Sequence, residues 1–228
     1  RTRRQRQMCI RDRFRFEPGG TRPPLILGVG RLVEKKGFSY LVGACSILRG
    51  RGVKFRCEIV GGGVLEADLK NQIEAQGLED IVRLVGPMSQ SDVKQKIREA
   101  VLLAAPCVHA EDADRDGLPT ILLESMALGT PCISTPVTGI PEVLHHLDTG
   151  LMVAERDSEE LADACAKLLA DKSLAEKLTR GARQLIEQRF DIDKNSAGIR
   201  ALFDDMTGLD LTPASSPTLV KVSAGALS

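Results

Sequence analysis

From Pro24 onward, short apolar runs alternate with longer stretches whose apolar residues recur every three or four positions. The first pattern suits buried strands and the second amphipathic helices. Strands are predicted at 25–29, 55–60, 81–85, 101–105, 132–134 and 151–153. Helices are predicted through 38–42, at about 65–76, near 92–99, from Pro119 onward, and across 158–206. In that last region Gly181 and Gly198 are expected to interrupt, and a boundary is expected near Phe190-Asp191. Strands alternating with helices indicate an α/β, Rossmann-like parallel sheet with helices on both faces and extra C-terminal helices. Such sheets bind ligands beyond the carboxyl ends of their strands, where glycine loops meet helix N-termini.

Composition narrows the picture. The 228 residues are 43% hydrophobic, enough for a sizeable core, and no apolar run approaches the roughly 18 residues of a membrane span. With one Tyr and no Trp, base-stacking recognition has little to work with, and no nucleic-acid partner is expected. Six cysteines without a C-x-x-C pair read as buried free thiols, neither a disulfide framework nor a zinc site. The net charge of zero hides an asymmetry, because residues 1–13 hold six arginines and one aspartate. A nucleic-acid or membrane arm could look like this. Yet Arg3 to Asp12 back-translates onto CGT CGG CAG CGT CAG ATG TGT ATA AGA GAC, which resembles a transposase adapter of sequencing libraries. Residues 1–13 are therefore expected to be foreign. Residues 14–206 are expected to form one domain, and 207–228, rich in Ser, Thr, Ala and Pro, a flexible tail.

Two constellations carry chemistry. Gly28-Val29-Gly30-Arg31 closes the first strand, and Lys36-Gly37 follows a short loop. Arginine offers a planar fork to phosphate oxygens and lysine a compact charge. Val33 replaces the last glycine of G-x-G-x-x-G, and no P-loop motif is present, so taken alone this also fits a solvated basic turn. The second constellation is Asp116-Gly117-Leu118-Pro119 through Glu124. Pro119 suits the first position of a helix, whose free amides and dipole favour an anion. Glu124, about 7.5 Å further along that helix, suits vicinal hydroxyls. An ordinary capped helix with a half-buried acid would read the same way. Three other signals weigh less: Asp112-Ala113-Asp114 as a loop acid pair, His109, His145 and His146 as structural histidines, and Gly61-Gly62-Gly63 as a close-packed turn or a nucleotide approach.

In order along the chain stand Gly30-Arg31, Lys36-Gly37, Leu84-Val85-Gly86, the acid-x7-Glu element Asp116–Glu124, Gly129-Thr130-Pro131, Gly139-Ile140-Pro141-Glu142 and Gly150-Leu151. Over about residues 24–206 this set resembles the carboxyl-terminal half of retaining GT-B glycosyltransferases of the family 4 group. The stretch 110–142 is most similar to bacterial exopolysaccharide or colanic-acid enzymes. The resemblance implies that Arg31 and Lys36 bind a diphosphate, that Glu124 holds the nucleotide ribose, and that Asp116 contacts the donor sugar. It also implies that Gly117, Leu118 and Pro119 present backbone amides to sugar and phosphate, and that Val85 and Gly86 lie at the base. Catalytic roles would fall to Asp116, Arg31 and Lys36. Asp116 departs from the family pattern by one methylene, since glutamate is usual there.

The implied substrates are a UDP- or GDP-sugar donor and a glycan or lipid-linked acceptor, with no cofactor and no metal. The implied location is cytoplasmic, with peripheral association at the inner membrane face through an N-terminal acceptor domain expected to be missing from this chain. Without that domain the chain is expected to be inactive. A sugar-nucleotide epimerase or hydrolase of the same architecture, or a non-catalytic binding domain, would share these residues.

Overall fold

The computed structural model describes residues 24–110 and 117–190. The described residues all fall within one compact unit, and residues 192–228 lie outside the described residues. The expectations for 1–13, for Asp112, Asp114 and Asp116, for Gly198 and for the tail also fall outside them.

Six strands form one parallel sheet: β1 (Leu25–Val29), β2 (Arg56–Val60), β3 (Val82–Gly86), β4 (Leu102–Ala105), β5 (Cys132–Ser134) and β6 (Leu151–Met152). Their order is β3-β2-β1-β4-β5-β6. Six helices connect and follow them: α1 (Phe38–Gly50), α2 (Glu66–Ala75), α3 (Gln90–Glu99), α4 (Thr120–Leu128), α5 (Ser158–Ala170) and α6 (Lys172–Arg189). Every strand expected from the pattern is present, with ends within one residue, which is the ordinary tolerance of a strand boundary.

The inner strands β1, β4 and β5 are buried on both faces, so they read as continuous apolar runs, whereas the edge strand β3 exposes Arg83 and Val85. Alternate residues nevertheless serve different cores. Ile26, Cys57, Ile59, Leu102, Ala104 and Ile133 join α1, α2 and α5 on one side. Leu25, Leu27, Val60, Leu103, Ala105 and Cys132 join α3, α4 and α6 on the other. This is the doubly wound arrangement, and its strand order reverses between β1 and β4. The loops leaving those two strands part in opposite directions and open a crevice.

Two local readings change. The third helix begins at Gln90, two residues before the expected start, because Ser89 caps it: its hydroxyl accepts the Asp92 N–H at 3.3 Å and donates to Asp92 Oδ2 at 2.7 Å. The C-terminal helical region does not break at Gly181, which lies inside α6. It breaks at Asp171, whose carboxylate accepts from Leu174 N–H at 2.9 Å and caps α6. Gly181 is there because α6 runs against the turn at Asp148; a Cβ would stand 2.4 Å from the Asp148 carbonyl oxygen.

Candidate functional site

The loops at the carboxyl edge are tied to one another through backbone. Gly30 N–H donates to Val60 O, Leu32 N–H to Gly62 O and Gly61 N–H to Gly86 O, each at 3.0 Å. Gly61, at φ 142°, packs so close to β1 that a Cβ would stand 1.9 Å from Gly30 O. Only glycine fits, so the exits of β1, β2 and β3 make one surface.

The turn after β1 is a short 3₁₀ segment, Glu34–Lys36, closed by Gly37 in the left-handed conformation at φ 63°. Gly37 lies against the exit of β4, where a Cβ would stand 1.9 Å from Pro106 O, and Val108 N–H donates to Lys35 O at 3.0 Å. This docking turns Lys36 back over β1. Its methylenes lie along Gly30, where an added Cβ would come within 3.2 Å of Lys36 Cε.

On the other side of the crevice α4 starts at Thr120, with buried Pro119 one residue before it in extended conformation rather than at the first helical position. The first-turn amides of a helix lack intrahelical partners and carry the positive end of the dipole. Thr120 and Ile121, in that first turn, border a cavity of about 320 Å³. The same cavity is lined by Gly30, Arg31, Lys36, Pro119 and Glu124. Two cations, a helix N-terminus and a carboxylate thus converge from segments some ninety residues apart in sequence. A second cavity of about 460 Å³ shares Val29, Gly30, Arg31 and Val93 with the first and extends over Gly61, Gly62, Pro87 and Met88. Together they make a bipartite trough, more polar on the α4 side, where Lys36, Gln90 and Glu124 stand, than on the β2–β3 side.

The remaining expected residues lie around this trough. Val85 is exposed near the end of β3 and Gly86 is paired with Gly61, and neither lines the cavities; Pro87 and Met88, just beyond, do. Gly117 accepts a hydrogen bond from Thr138 Oγ1 at 2.8 Å, and Leu118 packs on the second core beside Gly139. Sequence reasoning missed Gln90, Val93, Pro87 and Met88. The Ser89-x-x-Asp92 capping pattern would have placed α3 early enough to put Gln90 and Val93 at the rim. Gly61-Gly62-Gly63 is a close-packed turn, with Gly61 and Gly63 against backbone, and Gly61 and Gly62 also line the trough.

The histidines are structural in their contacts. His146 Nδ1 accepts from Met152 N–H at 3.1 Å. His109 holds Glu155: its N–H donates to Oε2 at 2.9 Å, and Nδ1 lies 2.9 Å and 3.0 Å from the two carboxylate oxygens. Burial pushes the Glu155 carboxyl up, but those bonds and the charge of Arg156 outweigh it, and the net pKa is lowered. The five described cysteines are free and buried, as the composition suggested.

The model of the family described as "Glycosyl transferases group 1" matches residues 10–185, most of the chain. The chain belongs to that family. Among relatives of this chain, the amylovoran biosynthesis glycosyltransferase AmsK of Erwinia amylovora is 38% identical over 168 residues, 74% of this chain and 41% of that protein. WcaL of Escherichia coli (strain K12), named for colanic acid biosynthesis, is 37% identical over 185 residues, 78% of this chain and 45% of that protein. The chain thus spans less than half the length of these curated relatives. Two solved structures share its fold. Alr3699/HepE of Anabaena, in complex with UDP, superposes with a TM-score of 0.71 at 21% identity over 80% of this chain and 49% of that one. The C-terminal domain of the group 1 glycosyl transferase LpcC of Francisella tularensis superposes with a TM-score of 0.65 at 18% identity over 78% and 96%. The Rossmann-like sheet matches GT-B glycosyltransferase structures. Among the described residues, no helix is long and apolar enough to cross a membrane.

Proposed function

We propose that this chain is the donor-binding half of a family 4 GT-B glycosyltransferase that moves a sugar, with retention, from UDP or GDP to a glycan or lipid-linked acceptor. One observation carries the reading: Arg31, Lys36, the N-terminus of α4 and Glu124 line a single cavity at the topological switch point. A diphosphate meets two cations and a helix N-terminus there, and a ribose meets Glu124 about one turn up the helix. The apolar extension over Pro87 and Met88 suits a base.

The chemistry follows from charge. Breaking the bond between anomeric carbon and phosphate oxygen leaves positive charge on the sugar and negative charge on the diphosphate. Arg31, Lys36 and the α4 N-terminus lie together where they stabilise that leaving group, so no metal is required in this reading. Asp116, outside the described residues, is proposed to contact the sugar. The relatives are named for amylovoran and colanic acid biosynthesis, which supports a polysaccharide acceptor. The acceptor side and the remaining catalytic groups belong to the rest of a protein about twice this length. The chain by itself is proposed to bind donor and to transfer little or no sugar.

Calorimetry on the full chain with UDP and GDP tests this. One of the two is expected to bind, and Arg31→Ala is expected to cost about 1.5–3 kcal/mol, the value of a charged hydrogen-bonding partner. Binding of neither nucleotide would sink the reading.

A further inference from the structure

Among the described residues three that are not glycine lie in the left-handed region: Thr138 at φ 45°, Leu147 at φ 63° and Arg156 at φ 60°. Side chains with a Cβ resist that conformation, so each needs a reason. Leu147 has a local one, since its N–H closes a tight turn onto Gly150 O at 2.9 Å. The other two share a different one. Thr138 Oγ1 donates to Gly117 O at 2.8 Å, and Arg156 Nη2 donates to His109 O at 2.7 Å. Gly117 leads into α4, and His109 follows the exit of β4. The two strained residues therefore hold the two ends of the β4–α4 connection.

Arg156 reaches further. Its Nη1 donates to Tyr40 Oη on α1 at 3.2 Å, and Nη2 lies 3.4 Å from Glu34 Oε1. Glu34 opens the turn that presents Lys36. Glu155, its neighbour, holds the His109 amide and imidazole. One dipeptide thus ties the Lys36 turn to the exit of β4, and neither Arg156 nor Thr138 lines the trough.

We propose that Thr138 and Arg156 are positioning residues, Thr138 holding Gly117 two residues before the trough-lining Pro119 and Arg156 holding His109 beside the turn that carries Lys36, so that nucleotide binding depends on them without contact. The dependence on binding rests on the donor-site reading above; the anchoring does not.

The test uses the full chain with Thr138→Gly, Arg156→Gly and Thr138→Ser. Glycine adopts the left-handed conformation without strain, so both glycine variants are expected to fold with melting temperatures within about 4 °C of wild type. Hydrogen exchange in a peptide covering 106–110 is expected to accelerate roughly tenfold in Arg156→Gly, and in a peptide covering 117–123 in Thr138→Gly. The Kd for UDP or GDP is expected to rise roughly tenfold in each, the value of one such hydrogen bond. Thr138→Ser, which keeps the hydroxyl, should restore both exchange and affinity. Unchanged exchange in both glycine variants overturns the anchoring. Faster exchange with unchanged Kd, in a wild type that binds, overturns the link to binding. A large fall in melting temperature accompanying the lost affinity also overturns it, because general destabilisation would then account for the loss. If wild type binds neither nucleotide, the donor-site reading fails and takes the link to binding with it, while exchange still decides the anchoring.

Discussion

At the scale of single residues, the trough separates two kinds of recognition that a nucleotide alone would blur. In the proposed reading Arg31 and Lys36, beside the Gly30 backbone, meet the diphosphate, and Glu124, along α4, meets the ribose. Inorganic pyrophosphate carries the first feature without the second. Arg31→Ala is therefore expected to weaken pyrophosphate and UDP by a similar factor. Glu124→Ala is expected to weaken UDP by about 1 kcal/mol and to leave pyrophosphate unchanged or slightly tighter, since it removes a negative charge from an anion site. Competition calorimetry with both ligands on both variants checks this. Equal loss of pyrophosphate binding in the two variants would remove the ribose assignment from Glu124.

At the scale of elements, two helical glycines show how the same residue type serves opposite ends. Gly50 ends α1 with nothing within 4 Å of an added Cβ, so Gly50→Ala should stabilise by about 0.5–1 kcal/mol through backbone entropy. Gly181 lies inside α6, where a Cβ would meet the Asp148 carbonyl at 2.4 Å. There the clash outweighs the propensity gain, and Gly181→Ala should destabilise by about 1–2 kcal/mol. Thermal melts of the two variants, moving in opposite directions, check the pair. The contrast also marks what was legible beforehand. Strands could be read because their apolar runs are bounded by glycines and charges, and Arg31, Lys36, Pro119 and Glu124 because ligand chemistry restricts residue type. Gly181 was misread because a breaker and a packing glycine look the same until the partner, here thirty-three positions earlier in the chain, is in place. Pro87 and Met88 carry no chemical signature, and only the pairing of Gly61 with Gly86 brings them over the trough.

At the scale of the whole molecule, the sheet separates two apolar layers that share strands but not side chains. Ile59 belongs to one layer and Ile140 to the other, both with no exposed surface. Each Ile→Val substitution removes one methylene and should cost about 0.5–1.5 kcal/mol. Without shared partners the double variant should lose the sum within about 0.5 kcal/mol. Additivity alone does not make two independent halves, because β1, β2, β4, β5 and β6 each contribute residues to both layers and cannot leave one without leaving the other. Urea unfolding followed by fluorescence and by circular dichroism should therefore remain a single coincident transition in all three variants. The trough draws its lining from both sides of the sheet, Lys36 from the turn leading into α1 and Glu124 from α4. A nucleotide at one hundred times its Kd should then shift that single transition as a whole, by about 2.7 kcal/mol. Two separable transitions, or ligand protection confined to one of them, would mean that the layers fold independently and that the trough is assembled only after both have formed.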